Sequence, residues 1–435
     1  MNQSKSYRSA FITITVLFFL WGFITVLVDS LIPRLKDVFE LSYFQAGLVQ
    51  FAFFIAYLVL SVPAGFLLTK IGYKKGIIIG LLTMAVGCLL FYPAASYRIF
   101  WIFLLAYFTL AGGITILQVA ANPYVSVLGS EDGASSRLNL SQAFNSLGTA
   151  IAPLIGASFL LSDTIKNSDE ISVLSDVDRG SYLISEASAV QTPFLYIAGF
   201  IGILALAFLF IKLPHLIEKS PKDGYIKILG NKMVRLGVLG IFLYVGAEVA
   251  IGSYLVNYFL SLNLAAVILE NDTMRYIAMH LLNTDITTID SKAIVGAFVV
   301  FYWSGAMIGR FVGSYLTRIL APSKVLSIFA ILAVLMLVIS MNSVGLIAMW
   351  SILAVGLFNS IMFPTIFTLT LEGLGDLKPQ ASGLLCMAIV GGAVIPPLYG
   401  LLTDFAGFKI ALLLIICCYA YIFFFSYKKL RVKQL

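Results

Sequence analysis

Apolar residues run in long, nearly unbroken blocks along this chain, separated by short stretches that gather Lys, Arg, Asp, Glu, Gly and Pro. The blocks fall near 11–33, 44–68, 76–94, 99–127, 138–162, 191–213, 233–262, 291–317, 323–341, 344–371, 380–404 and 408–427. Many approach the ~20 residues an α-helix needs to cross a bilayer. A backbone in lipid must satisfy its own hydrogen bonds, which makes such blocks helices. A transmembrane barrel would instead show alternating segments of ~10 residues, and no such alternation occurs. The pattern therefore predicts an all-α membrane protein with twelve transmembrane helices.

Composition agrees. Of 435 residues, 60% are hydrophobic and 11% charged, against about 25% charged in a typical soluble domain. Lys5 and Arg8 precede the first block in the manner of a signal peptide, but the block is too long for one and has no convincing small-residue cleavage site. It reads as a retained first span. Cys88, Cys386, Cys417 and Cys418 lie inside apolar spans and read as small packing residues. His215 and His280 fall in connecting segments and form no cluster, so no metal site is expected. There is no phosphate-binding Gly-x-x-x-x-Gly-Lys-Ser/Thr, no His-Glu-x-x-His and no helix-borne His for a triad. No loop is large enough to house a nucleotide domain. These absences argue against an enzyme, a bound cofactor or an ATP-driven pump, and no nucleic-acid partner is expected.

Charge sets the orientation. With both termini in the cytoplasm, Lys and Arg concentrate in the inner segments and acids in the outer ones, as the positive-inside rule requires. The acidic stretch 163–190 reads as an exposed outer loop, and 263–290 as a second one carrying a short helix. The basic stretch Lys212 to Arg235, with Pro214 and Pro221, reads as a cytoplasmic linker. It divides the chain into an N-terminal bundle (1–213), a linker (214–232) and a C-terminal bundle (233–435). Two echoes favour duplication. Gly65 to Lys70 and Gly313 to Arg318 both carry Gly-x-x-x-Thr-Lys/Arg at the end of the second helix of a half. Gly148, Pro153 and Gly156 in span 5 are matched by Gly391, Pro396 and Gly400 in span 11. Such internal repeats are common in secondary transporters.

The intramembrane carboxylates are Asp29 and Glu248. A charge there costs at least ~2.5–3.5 kcal/mol on insertion scales, so such residues usually face a cavity or a partner. A carboxyl that can be neutral or charged within reach of both sides is what a proton-coupled carrier needs. Asp29 lies roughly 27 Å along its helix from Phe11, near the outer end, where pairing with Arg34 or water is the simpler alternative. For Glu248 the simpler alternative is a bond to a neighbouring helix. Gln118, Asn122, Gln142, Asn145, Asn257 and Asn359 offer amide donors and acceptors for a polar solute; each could equally be a helix–helix hydrogen bond. Trp21, Tyr57, Tyr254 and Trp303 are weaker candidates, each more simply a packing residue. Arg310, at the cytoplasmic part of span 8, could pair with an acid or with carbonyls of another helix to close the gate, or merely snorkel.

The stretch Gly65 to Lys75 resembles the signature loop of the major facilitator superfamily, with Gly65, Lys70, Gly72, Lys74 and Lys75 at matching positions. Thr69 replaces the acid of that loop, which removes its charge-paired gate. A narrower resemblance covers nearly the whole chain. Phe18 to Pro33, Gln118 to Tyr124, Ser135 to Gly148, Tyr244 to Ala250 and Ile308 to Phe311 look like segments of the fucose–galactose–glucose:proton symporter family. The resemblance implies two six-helix bundles around a central cavity exposed alternately to each side. It implies a proton-coupled carrier of a hexose, glucose or galactose first. Other readings are fucose or an N-acetylhexosamine as substrate, sodium as the coupling ion, a channel, or a non-transporting sensor. By position, Asp29 falls on the family's sugar-binding acid, while Gln142 and Asn145 fall on its cavity-facing pair. Gln118 replaces a proton-coupling acid, and Glu248 replaces a Gln found in the fucose carriers. Implied gating positions are Gly65, Lys70, Gly72, Lys74 and Arg310. The expected setting is a bacterial inner membrane, with lipid around a monomer.

Overall fold

The computed structural model describes residues 2–38, 43–160, 173–214, 224–284 and 289–434. In order, the helices are α1 (Asn2–Val38), α2 (Tyr43–Tyr97), α3 (Phe100–Val127), α4 (Ala134–Leu160), α5 (Asp176–Phe210), α6 (Gly224–Gly230), α7 (Lys232–Ser261), α8 (Leu264–Glu270) and α9 (Asp272–Leu282). There follow α10 (Ser291–Ala297), α11 (Val299–Ile319), α12 (Pro322–Asn342), α13 (Gly345–Asn359), α14 (Met362–Leu371), α15 (Lys378–Met387), α16 (Gly391–Ala406) and α17 (Phe408–Gln434).

Ten stretches among the described residues are long and apolar enough to cross a membrane. The longest, Leu48–Tyr97, is two spans joined at Gly72. Its φ of 80° there is open to glycine and strained for other residues. With the long helix α4 counted as a further span, the described residues hold twelve. Three of them are interrupted. The eighth is divided at Phe298, the tenth at Ser360–Ile361, and the eleventh by a 3₁₀ turn over Ala388–Val390.

Between α7 and α11, the short helix expected within 263–290 is present as α8 and α9. The segment 163–190, read from sequence as an outer loop, lies outside the described residues up to 172 and differs from a loop beyond them. It is helical from Asp176, because the Ser175 hydroxyl accepts from the Asp178 backbone N–H at 3.2 Å and caps the helix start. A matching cap starts α7, where Asn231 Oδ1 accepts from the N–H groups of Met233 and Val234.

The chain folds as two compact units. One comprises Met1–Glu131, Phe144–Gly230 and Gly373–Met387; the other comprises Asp132–Ala143, Asn231–Glu372 and Ala388–Leu435. Each unit thus contains one short stretch from the opposite half of the sequence. In the first unit α2 packs on α3 and α5, and α15 inserts against α2 and α3. There Ser382 Oγ donates to the Val119 carbonyl at 2.8 Å, and Lys378 Nζ meets Glu131 Oε1 at 3.1 Å. The same Glu131 oxygen accepts from the Gly373 N–H at 3.1 Å. In the second unit α7 packs on α14, α16 and α17, and α13 on α11 and α12. The incoming stretch there is held by Ser135 and Thr368, whose hydroxyls lie 2.6 Å apart, and by Asn139 Nδ2 donating to Thr365 Oγ1 at 3.1 Å.

Tight crossings are made at glycine. A methyl group on Gly148 would overlap the Phe19 carbonyl oxygen of α1, and one on Gly391 would overlap the Phe242 carbonyl oxygen of α7. The Gly-x-x-x-x-Pro echo of spans 5 and 11 therefore marks the same packing device, a glycine seated on a neighbouring helix's carbonyl, in each unit. Gly148→Ala or Gly391→Ala forces backbone to separate, and each should destabilise the protein by about 1–3 kcal/mol. A thermal unfolding midpoint in detergent checks this, and an unchanged midpoint would contradict the crossing.

Candidate functional site

The second unit holds a buried polar cluster built by four helices. Glu248 projects from α7 one turn after Tyr244, so both lie on one helix face. Glu248 Oε1 lies 3.7 Å from Arg310 Nη2 of α11, with side-chain exposures of 16% and 17%. That distance makes an ion pair without a hydrogen bond, and Glu248 Oε1 accepts none. Arg310 also donates from Nε to the Ser360 carbonyl at 3.2 Å. Ser360 sits at the interruption between α13 and α14. A broken helix is tolerated at membrane depth where other groups take up its freed carbonyls, and here the guanidinium does so.

Glycine permits this approach too. A methyl on Gly309 would overlap the Leu357 carbonyl oxygen and the Ser360 hydroxyl, and one on Gly356 would overlap the Tyr302 carbonyl oxygen. The α11–α13 crossing therefore places Arg310 beside Ser360, and Tyr302 beside Asn359. Asn359 is fully buried. Its Nδ2 donates to the hydroxyls of Tyr302 at 2.7 Å and of Tyr419, from α17, at 3.1 Å.

The first unit holds a smaller polar set. Gln118 Nε2 of α3 donates to the Tyr57 hydroxyl of α2 at 2.7 Å. Asn145 Nδ2 of α4 donates to the Phe18 carbonyl of α1 at 2.9 Å, so that amide hydrogen serves helix packing. Asn122 is fully buried and interacts with the Cys386 thiol of α15.

Three of the sequence candidates, Glu248, Arg310 and Asn359, are brought into one cluster. Arg310 pairs there with an acid, Glu248, and with a carbonyl of another helix, that of Ser360. Gln118, Asn122 and Asn145 share the first unit but make separate contacts. Gln142 is buried in the stretch that belongs to the second unit. Asn257 is exposed on α7. Asp29 lies in α1, with its side chain outside the described residues. Among the gating positions, Lys74 Nζ donates to the Leu209 carbonyl at 2.9 Å, satisfying the C-terminal end of α5. Lys70 Nζ lies 4.5 Å above the Phe66 ring. Gly65 is where α2 meets α15: a methyl there would meet the Tyr225 hydroxyl and the Pro379 carbonyl oxygen. Tyr225, from α6, donates to the Val62 carbonyl at 2.7 Å and closes this contact.

Sequence reasoning passed over Tyr244, Tyr302 and Tyr419. Tyr244 carried a usable signal, since it stands four residues before an intramembrane Glu. Tyr302 and Tyr419 carried none, being two of 21 tyrosines in apolar blocks.

The Major Facilitator Superfamily model matches residues 9–385. The chain is 46% identical over 430 residues to a glucose/galactose transporter of Brucella abortus, covering 98% of this chain and 95% of that one. It is 36% identical over 435 residues to the L-fucose-proton symporter of Escherichia coli, covering 98% and 94%. Its fold matches the crystal structure of a major facilitator superfamily transporter, FucP, in the outward conformation. The TM-score is 0.87 at 34% identity, covering 98% of this chain and 99% of that one.

Proposed function

The chain belongs to the major facilitator superfamily, and from that premise we propose that it carries D-glucose or D-galactose into the cell together with a proton, by alternating access. The observation that carries this reading is the 46% identity to a glucose/galactose transporter over nearly the full length of both chains. The proton is supported by the likeness to an L-fucose-proton symporter, and by Glu248, a carboxylate within a membrane span facing an arginine. In this reading Glu248 is the coupling group, because a span-borne carboxylate is costly and is retained for function. Gln118 and Tyr57 supply hydroxyl-binding groups in the first unit. Gln118 cannot release a proton, which leaves the carboxylates Asp29 and Glu248, and of these Glu248 is the one with a described charge partner. The distribution of Lys and Arg supports both termini in the cytoplasm. The bacterial relatives support an inner-membrane location, and we take the working unit to be one chain in lipid.

L-Fucose is the second reading, favoured by the 0.87 TM-score to FucP. Glu248, standing where the fucose carriers have Gln, argues for the glucose branch.

Purified protein in proteoliposomes decides between them. Labelled D-glucose should accumulate above equilibrium under an inward proton gradient and drain when a protonophore is added. Accumulation under an inward sodium gradient alone would keep the sugar and replace the ion. Transport of L-fucose with no movement of D-glucose would overturn the sugar assignment.

A further inference from the structure

The hydrogen-bond inventory behind the Glu248–Arg310 pair does not close within itself. Asn359 spends both amide hydrogens on the Tyr302 and Tyr419 hydroxyls. Its carbonyl oxygen Oδ1 is then a fully buried acceptor with no donor. Each of the two phenols accepts one hydrogen and still has its own to donate. Tyr244 is buried one turn before Glu248 on the same helix face, and its hydroxyl has no partner within hydrogen-bonding geometry. Tyr302 lies two turns before Arg310 on α11, and Asn359 immediately precedes Ser360, whose carbonyl Arg310 holds, so the Tyr302–Asn359 and Arg310–Ser360 bonds pin the same two helices together. The cluster therefore holds three phenol hydrogens and two oxygens without a donor, Asn359 Oδ1 and Glu248 Oε1.

Such a cluster responds to a proton on Glu248. The carboxylate is an acceptor facing a guanidinium at 3.7 Å. Once protonated, it brings an O–H donor into a group already rich in donors and loses its charge attraction to Arg310. Asn359 Oδ1 is the buried acceptor held ready by the two tyrosines. Buried polar groups of this kind respond strongly to a change in one member, because the local dielectric is low.

We propose that Tyr302, Tyr419 and Asn359 are positioning residues for proton coupling, orienting the Glu248–Arg310 pair so that it forms and breaks with the Glu248 proton. The proposal rests on the reading of Glu248 as the proton-carrying group. The proton added at Glu248 from one side leaves as a free proton to the other, and no covalent bond is made.

The test uses Tyr302→Phe and Tyr419→Phe, each of which deletes one hydroxyl and leaves the ring that fills the site. Two readouts in proteoliposomes separate positioning from packing. One is accumulation of labelled D-glucose driven by an inward proton gradient; the other is D-glucose counterflow with equal pH on both sides, which needs no net proton movement. Accumulation should fall about 3- to 10-fold in either variant, the equilibrium equivalent of one lost hydrogen bond, with counterflow within about twofold of the parent. A proportional fall in both readouts would mean packing alone and would overturn the proposal, as would no fall in either. Glu248→Gln in the same vesicles separates the two readings. If it accumulates sugar like the parent, the assignment of Glu248 fails and takes the positioning proposal with it. If it loses accumulation while both tyrosine variants keep theirs, the positioning proposal alone fails. Asn359→Leu, which removes both amide hydrogens and Oδ1, should behave as the tyrosine variants do; if it does not fold, the tyrosine variants decide.

Discussion

Glu248→Gln should abolish sugar accumulation against a gradient while leaving counterflow measurable. Glutamine keeps the length and most of the shape of glutamate but neither binds nor releases a proton near neutral pH. If Glu248 carries the coupling proton, the variant still binds sugar and reorients, and the gradient no longer does work through it. The Arg310 guanidinium at 3.7 Å then faces a neutral amide and keeps its bond to the Ser360 carbonyl, so the variant should fold. Accumulation of D-glucose under an inward proton gradient, set against counterflow at equal pH, is the pair of measurements. Parental accumulation in Glu248→Gln would remove Glu248 from the coupling mechanism.

Arg310→Ala should be the most destabilising single change in this cluster. It leaves a largely buried carboxylate without its counter-charge and the Ser360 carbonyl at the helix break without its donor. Breaking a buried pair by removing one partner typically costs about 3–5 kcal/mol. The 3.7 Å separation and partial exposure put the expectation near the lower end, about 3 kcal/mol. The double variant Glu248→Gln/Arg310→Ala should recover part of that loss, because no uncompensated charge is left. Unfolding midpoints of the two single variants, the double variant and the parent form a double-mutant cycle. Additive effects would show that the two side chains do not interact.

Some of this was legible in the sequence and some was not, for reasons that differ by residue. The spans were legible because lipid imposes a length and an apolar composition that soluble folds do not. Glu248 was legible because a carboxylate in such a span is expensive enough to need a reason. Its partner was legible only by type: Arg310 could be read as pairing with an acid or carbonyls of another helix, but nothing along the chain ties it to Glu248 rather than to another acid. The amides were the least legible. Asn145 bonding a carbonyl of α1 and Asn359 orienting between two phenols look identical in sequence, because the identity of a side chain does not reveal its partner. Lys74 matched a gating motif, yet its ammonium satisfies the last turn of α5. The helical stretch 176–190 was obscured by its polar composition. The Gly148 and Gly391 echo was visible as a pattern, but its meaning, a glycine resting on the carbonyl of the neighbouring helix, needed the structure.

The stretches 132–143 and 373–387 also bear on biosynthesis. Ser135 hydrogen-bonds Thr368, 233 positions later in the chain, and Ser382 hydrogen-bonds Val119, 263 positions earlier. A ribosome adding ~5–20 residues per second separates the emergence of Ser135 from that of Thr368 by roughly 10–50 s. Throughout that interval Ser135 and Asn139 at the start of α4 lack their partners Thr368 and Thr365, and the first unit lacks α15. The nascent N-terminal half is therefore an unfinished object inside the membrane, in need of a holding partner until translation is nearly over. Neither half should reach its final packing when made alone.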